Sequence, residues 1–125
     1  MDLNQSILGS IKQMLGIVPT AMPFDDEIIL HINSTFTPLA QLQVCDEGFN
    51  ITGYTETWED CISDPSLADM AKVYIYLRVR LIFDPPASSI VSDAMNSRLA
   101  ELEWRLNIQA ERKAQLAAES EEATT

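Results

Sequence analysis

Basic residues are scarce in this 125-residue chain: eight Lys and Arg stand against nineteen Asp and Glu, for a net charge of −11. Between Lys12 and Lys72 there are none. That segment carries Asp25, Asp26, Glu27, Asp46, Glu47, Glu56, Glu59, Asp60, Asp64 and Asp69 instead. Proteins that grip phosphates do so with Lys and Arg, so the balance argues against direct DNA binding by this surface. Two readings of the acids stay open. They form a solvated face that keeps the chain soluble, or a surface that repels polyanions or meets a basic partner.

Other absences narrow the class further. No run of about 18 uncharged apolar residues occurs, so no membrane span is expected. "MDLNQSILGS" has an acid at position 2 and no basic region of the kind that opens a signal peptide. The expectation is a protein made and kept in a cytoplasm. Two cysteines and one histidine make neither a disulfide framework nor a convincing zinc site. Cys45 and Cys61 read as small core side chains. Glycine-rich phosphate loops and nucleophile elbows are missing, and a single His31 leaves little scope for a Ser-His or Cys-His couple. No catalytic residue, metal ligand or cofactor is expected.

What is present is helical periodicity. Leu3, Ile7, Ile11 and Met14 or Leu15 predict a helix over 3–15, with Asp2 and Gln5 as a capping box and Gly16 as its stop. A second helix opens near Phe24, with Asp25, Asp26 and Glu27 in its first turn. Ile28, Ile32, Phe36, Leu39 and Leu42 form its stripe, and Pro38 predicts a kink or break. Residues 43–64 lose the rhythm. Around 48–56, "FNITGY" alternates like a short extended piece or hairpin, and Thr57 with Asp60 predicts a short helix. Such an excursion is either a binding loop or a connection held by Phe49, Tyr54 and Trp58.

The most apolar stretch is "YIYLRVRLIFDPPASSI", residues 74–90. By itself it alternates like a strand. Leu67, Met70, Val73, Tyr74, Leu77 and Leu81 upstream and within it recur at helical spacing, Ser66 and Asp69 resemble a cap, and Pro85 ends the run at Phe83. The prediction is a central helix over 66–83, apolar nearly all round. Arg78 and Arg80 point about 200° apart on it, so each leaves the core separately. After the elbow "DPPASS", Ser88 or Ser89 caps a last helix from about Ile90 toward Ala118. Val91, Met95, Leu99, Leu102 and Leu106 form one seam. Trp104 and Ile108 lie on a different face, which points to a contact with another chain. Beyond Ile108 the sequence is polar, helix-forming and without a core face.

In order and wording these segments resemble the small head–tail connector proteins of long-tailed bacteriophages, also called head-completion or neck adaptor proteins. The resemblance rests on "ILGSIKQMLGI", "FDDEIILHINSTFTPLAQLQV", "TWEDCI" and above all "YIYLRVRLIFDPPASSIVSDAMNSRLAELEWRLN", and covers about residues 3–108. It implies an all-α domain of about four helices over 1–108, with a polar tail over 109–125 that is helical, or disordered until bound. It further implies a homo-oligomeric ring of about a dozen copies under the portal at the capsid vertex, assembled in the host cytoplasm. The ring extends the DNA channel and meets a downstream neck, stopper or tail-completion protein. DNA passes through without specific binding. Carried over, Trp104, Leu106, Ile108, Arg112 and Leu116 become portal-docking candidates. The loop 46–60 becomes a candidate tail-side or intersubunit surface. From the residues themselves, Arg78 and Arg80 reach acids either in their own chain or in a neighbouring subunit, and with Trp58 they are the intersubunit candidates; Asp46, Glu47, Glu56, Glu59 and Asp60 are the DNA-repelling candidates. The alternative is a small acidic regulatory protein, such as a DNA mimic.

Overall fold

The computed structural model describes residues 5–18 and 23–123. Five helices appear among them, with no strand: α1 (Ile7–Met14), α2 (Asp25–Gln41), α3 (Trp58–Cys61), α4 (Pro65–Phe83) and α5 (Ser89–Ala123). The chain is therefore all-α, as its periodicity predicts.

Helix α1 starts later than its apolar spacing suggests. Ser6 is its cap, and the hydroxyl accepts a hydrogen bond from the Gly9 amide at 3.1 Å. Asp2 and Leu3 lie outside the described residues. Gly16 adopts φ +81° just past the end of α1, a conformation that suits glycine. Ile7, Leu8 and Ile11 are fully buried. Helix α2 runs through Pro38 to Gln41 without the expected break.

Helix α4 is the centre of the fold. It packs against α1, α2, α3 and α5 alike, which is why its sequence is apolar nearly all round. Its cap is Asp64 rather than Ser66: the Asp64 carboxylate accepts from the Ser66 amide at 3.0 Å, and Pro65 takes the first helical position. The helix ends at Phe83, ahead of Pro85. After the elbow, the Ser88 hydroxyl accepts from the Val91 amide and α5 returns antiparallel along α4. Leu99, Leu102, Leu106 and Ala110 bury themselves on it. The seam thus runs one turn past Leu106, while Val91 at its other end is exposed.

The segment 43–57 is not a hairpin. Its backbone pairs with a side chain instead of a strand. The Asn33 amide donates to the Ile51 carbonyl at 3.0 Å and accepts from the Ile51 N–H at 2.8 Å. Glu56 then ties the turn, accepting from the Thr52 amide and hydroxyl and from the Gly53 amide. Phe49 meets Phe36 edge-on at 5.0 Å, and a lone antiparallel bridge joins Thr57 to Ser6. Of the two readings of this loop, its interior is that of the well-packed connection.

Candidate docking surfaces

The α4–α5 hairpin sets the exposed surfaces. Helix α5 is about 52 Å long and α4 about 28 Å, at 1.5 Å per residue. Tyr74 meets Glu103, Ser66 meets Gln109 and Asp64 meets Lys113. Residues beyond Lys113 therefore overhang the start of α4, and side chains 111–120 are all exposed. The helix crosses residue 108 without interruption.

Trp104, Ile108 and Leu116 are 65 %, 44 % and 57 % exposed, respectively. They lie along one side of α5 and, with Met70 of α4, form a groove of about 520 Å³. Arg105, Arg112 and Lys113 also line it. Arg105 is held by Glu101 at 2.9 Å and Lys113 by Asp64 at 3.7 Å. The Arg112 guanidinium makes no hydrogen bond or ion pair among the described residues. An apolar floor beside an uncommitted guanidinium, on a strongly acidic chain, suits a partner segment that carries apolar side chains and a carboxylate. Leu106 does not belong to this surface. It is fully buried against α4, on the opposite side of α5, because it continues the Leu99–Leu102 seam.

A second exposed apolar patch lies at the elbow, where Ile82, Ile90 and Val91 face solvent. It sits at the far end of the hairpin from the groove.

The intersubunit candidates separate. Arg78 is satisfied within the chain: it donates to the Tyr74 hydroxyl at 3.0 Å and lies 3.7 Å from Glu103. Burial, then the Glu103 acceptor, pushes the Tyr74 phenol up to about 12 although Arg78 opposes the shift. Arg80 donates to the Tyr76 hydroxyl at 2.9 Å, but its buried Nε has no partner among the described residues. Trp58 is a core residue, 6 % exposed, with its indole N–H donating to the Ser10 hydroxyl at 3.0 Å and the Lys72 ammonium over its ring. The one-turn helix α3, closed by the Thr57–Asp60 capping box, turns it inward.

The acidic candidates also divide. Asp46, Glu47 and Glu59 are exposed, and their carboxylates make no hydrogen bond or ion pair among the described residues. Asp60 is exposed but engaged in the α3 cap. Glu56 is internal to its turn. Burial alone would raise its pKa, but the hydrogen bonds from Thr52 and Gly53 outweigh that and lower it.

One buried group escaped sequence reasoning. Lys12 is fully buried, and its ammonium donates to the Asp25 carboxylate and the Tyr54 hydroxyl. Tyr54 donates in turn to Asp25 at 2.9 Å. Burial works against the ammonium, but these two partners overcome it and the pKa is raised. The triad joins α1, the first turn of α2 and the loop. Its only trace in the sequence is that Lys12 falls one residue after Ile11, on a short helix with little room for a solvent face.

Comparison with known families decides among the readings. A family model described as phage connector protein matches residues 7–113. The chain belongs to the phage connector protein family. Membership supports a role for this chain as a head–tail connector of a phage particle. No curated protein and no solved structure matches it. No helix among the described residues is long and apolar enough to cross a membrane.

Proposed function

We propose that this connector forms a closed ring of about a dozen copies under the portal, and that the exposed side of α5 grips the portal. The observation that carries the reading is the groove on α5, where Trp104, Ile108 and Leu116 stand exposed beside Arg112. Exposed apolar surface rimmed by charge is the mark of a contact site, and Trp with Arg is the pair that most often dominates one. A head-to-tail ring needs two different patches per subunit. The elbow residues Ile82, Ile90 and Val91 supply a candidate for one of them, and Arg80 reaches out from the same end of α4.

The acids complete the proposal. Asp46, Glu47, Glu59 and Asp60 line the DNA path or the tail-side face, where repeated negative charge keeps phosphates from sticking during genome passage. DNA moves through without a specific contact, and a downstream neck or tail-completion protein docks on the opposite face.

The test is the mass of the purified connector alone and mixed with its portal. A stable high-order complex is expected, and a monomer indifferent to the portal overturns the reading. Trp104→Ala is expected to weaken portal docking by about 2 kcal/mol or more, roughly 30-fold, while leaving the melting temperature unchanged. Undiminished docking removes the groove from the interface.

A further inference from the structure

Cys45 and Cys61 are far apart in sequence and close in the fold. Cys45 follows the end of α2, after Gln43 has turned the backbone to φ +66°. Cys61 closes α3. Both are free thiols, and each perturbs the other's ionisation, as neighbouring side chains do. They border a cavity of about 460 Å³ that Asp46, Glu59, Asp60 and Lys113 also line. The pair is unequal. Cys45 is half-buried, with its Sγ 3.7 Å from the Phe36 carbonyl, and Cys61 is buried. Contact with the Cys61 thiol draws the Cys45 thiol down, while the same contact and burial push Cys61 up. A more exposed thiol that ionises first, backed by a buried partner in contact, is the arrangement of an attacking and a resolving cysteine.

We propose that Cys45 and Cys61 are an oxidation site, closed to an intrachain disulfide by low-molecular-weight disulfides. The Cys45 thiolate attacks one sulfur of the oxidant, whose S–S bond breaks to release a thiolate that takes up a proton. Cys61 then loses its proton, attacks the Cys45 sulfur of the mixed disulfide, and expels the second thiolate. Two protein thiols are oxidised by two electrons, and one disulfide oxidant is reduced to two thiols. A glutathione-reduced cytoplasm keeps the pair open, so the bond forms only when the oxidant prevails. It staples the acidic segment 46–60 at both ends. The carboxylates around the cavity select the oxidant: a neutral disulfide reacts faster than anionic glutathione disulfide. None of this depends on ring formation or portal docking.

The test uses the full chain, reduced and then exposed to hydroxyethyl disulfide or glutathione disulfide. Expected are a mass loss of about 2 Da, a fall in thiol content from two to none, a monomer on a non-reducing gel and a peptide cross-linked through Cys45 and Cys61. Cys61→Ser should stop at a mixed disulfide on Cys45, and Cys45→Ser should react at least tenfold more slowly at its remaining thiol. The neutral oxidant should be several-fold faster, with the gap shrinking as salt is added. A wild-type chain that stays a mixed disulfide on Cys45, that pairs between molecules, or that keeps both thiols under conditions oxidising the unfolded chain overturns the proposal.

Discussion

Lys12 carries a charge into the core, where its worth depends on its partners. Deleting one side of a buried ion pair costs about 3–5 kcal/mol because the other charge is stranded. Lys12→Met is therefore expected to lower stability to urea by that amount, and adding Asp25→Leu should recover most of it. Equal losses in the single and double variants would show that Lys12 contributes through packing alone. Tyr74 makes a prediction of opposite chemistry. Its phenol is held neutral, with a pKa pushed from 10 up to about 12. A raised folded-state pKa stabilises the fold fully below the unfolded value and loses that contribution as pH climbs through the folded one. Stability should fall between pH 10 and about 12, and absorbance of the phenolate should show one of the three tyrosines ionising late. Tyr74→Phe should remove that late step. These residues also mark what a linear reading misses. Leu67 and Leu102 declare themselves by period. The meetings of Lys12 with Asp25 and Tyr54, and of Cys45 with Cys61, are set by how α1, α2 and the loop pack, and no spacing encodes them.

Helices α4 and α5 were the elements most readable from sequence, because a long periodic segment with proline and serine punctuation leaves few alternatives. The ends were harder. A cap is one hydrogen bond, and Asp64 and Ser66 compete for it on equal local terms until Pro65 is seen to occupy the first helical position. The loop 43–57 misled for a different reason: alternation in "FNITGY" signals an extended backbone but not what pairs with it, and here the pairing group is the Asn33 side chain. Of the two readings of Trp58, packed connection or subunit contact, it is buried as the first requires; period could not choose, since a one-turn helix has none by which to tell its inner face. Helix α5 supplies the test at this scale. Ending the chain after Lys113 removes only exposed side chains and overhanging backbone, so the unfolding midpoint should hold. Ending it after Asn107 also removes buried Ala110 and the Gln109 and Lys113 contacts to the start of α4, and should cost about 1–2 kcal/mol. Equal midpoints would mean that the seam ends at Leu106.

At the scale of the whole molecule the charges are sorted. Three of the eight basic residues line one groove on α5, while Asp46 and Glu47 on the loop after α2 and Glu59 in α3 stand exposed. Reversing Asp46, Glu47 and Glu59 to Lys should leave the fold intact, since none has a partner to lose, and should create weak DNA retention. That binding should vanish by about 200 mM salt, as expected of phosphate contacts without base recognition. Retention unaffected by the reversal would mean that the acids do not govern contact with DNA.

The placement of α5 has a consequence for when the protein becomes a protein. The central helix α4 is made before the helix that covers it, and Leu99, Leu102, Leu106 and Ala110 reach α4 only after the elbow and most of α5 have left the ribosome. Folding of the α4 core therefore waits until α5 has emerged. A chain interrupted before Leu99 leaves Tyr74 and its neighbours on α4 uncovered. Only a copy that carries α5 presents the groove and the elbow together.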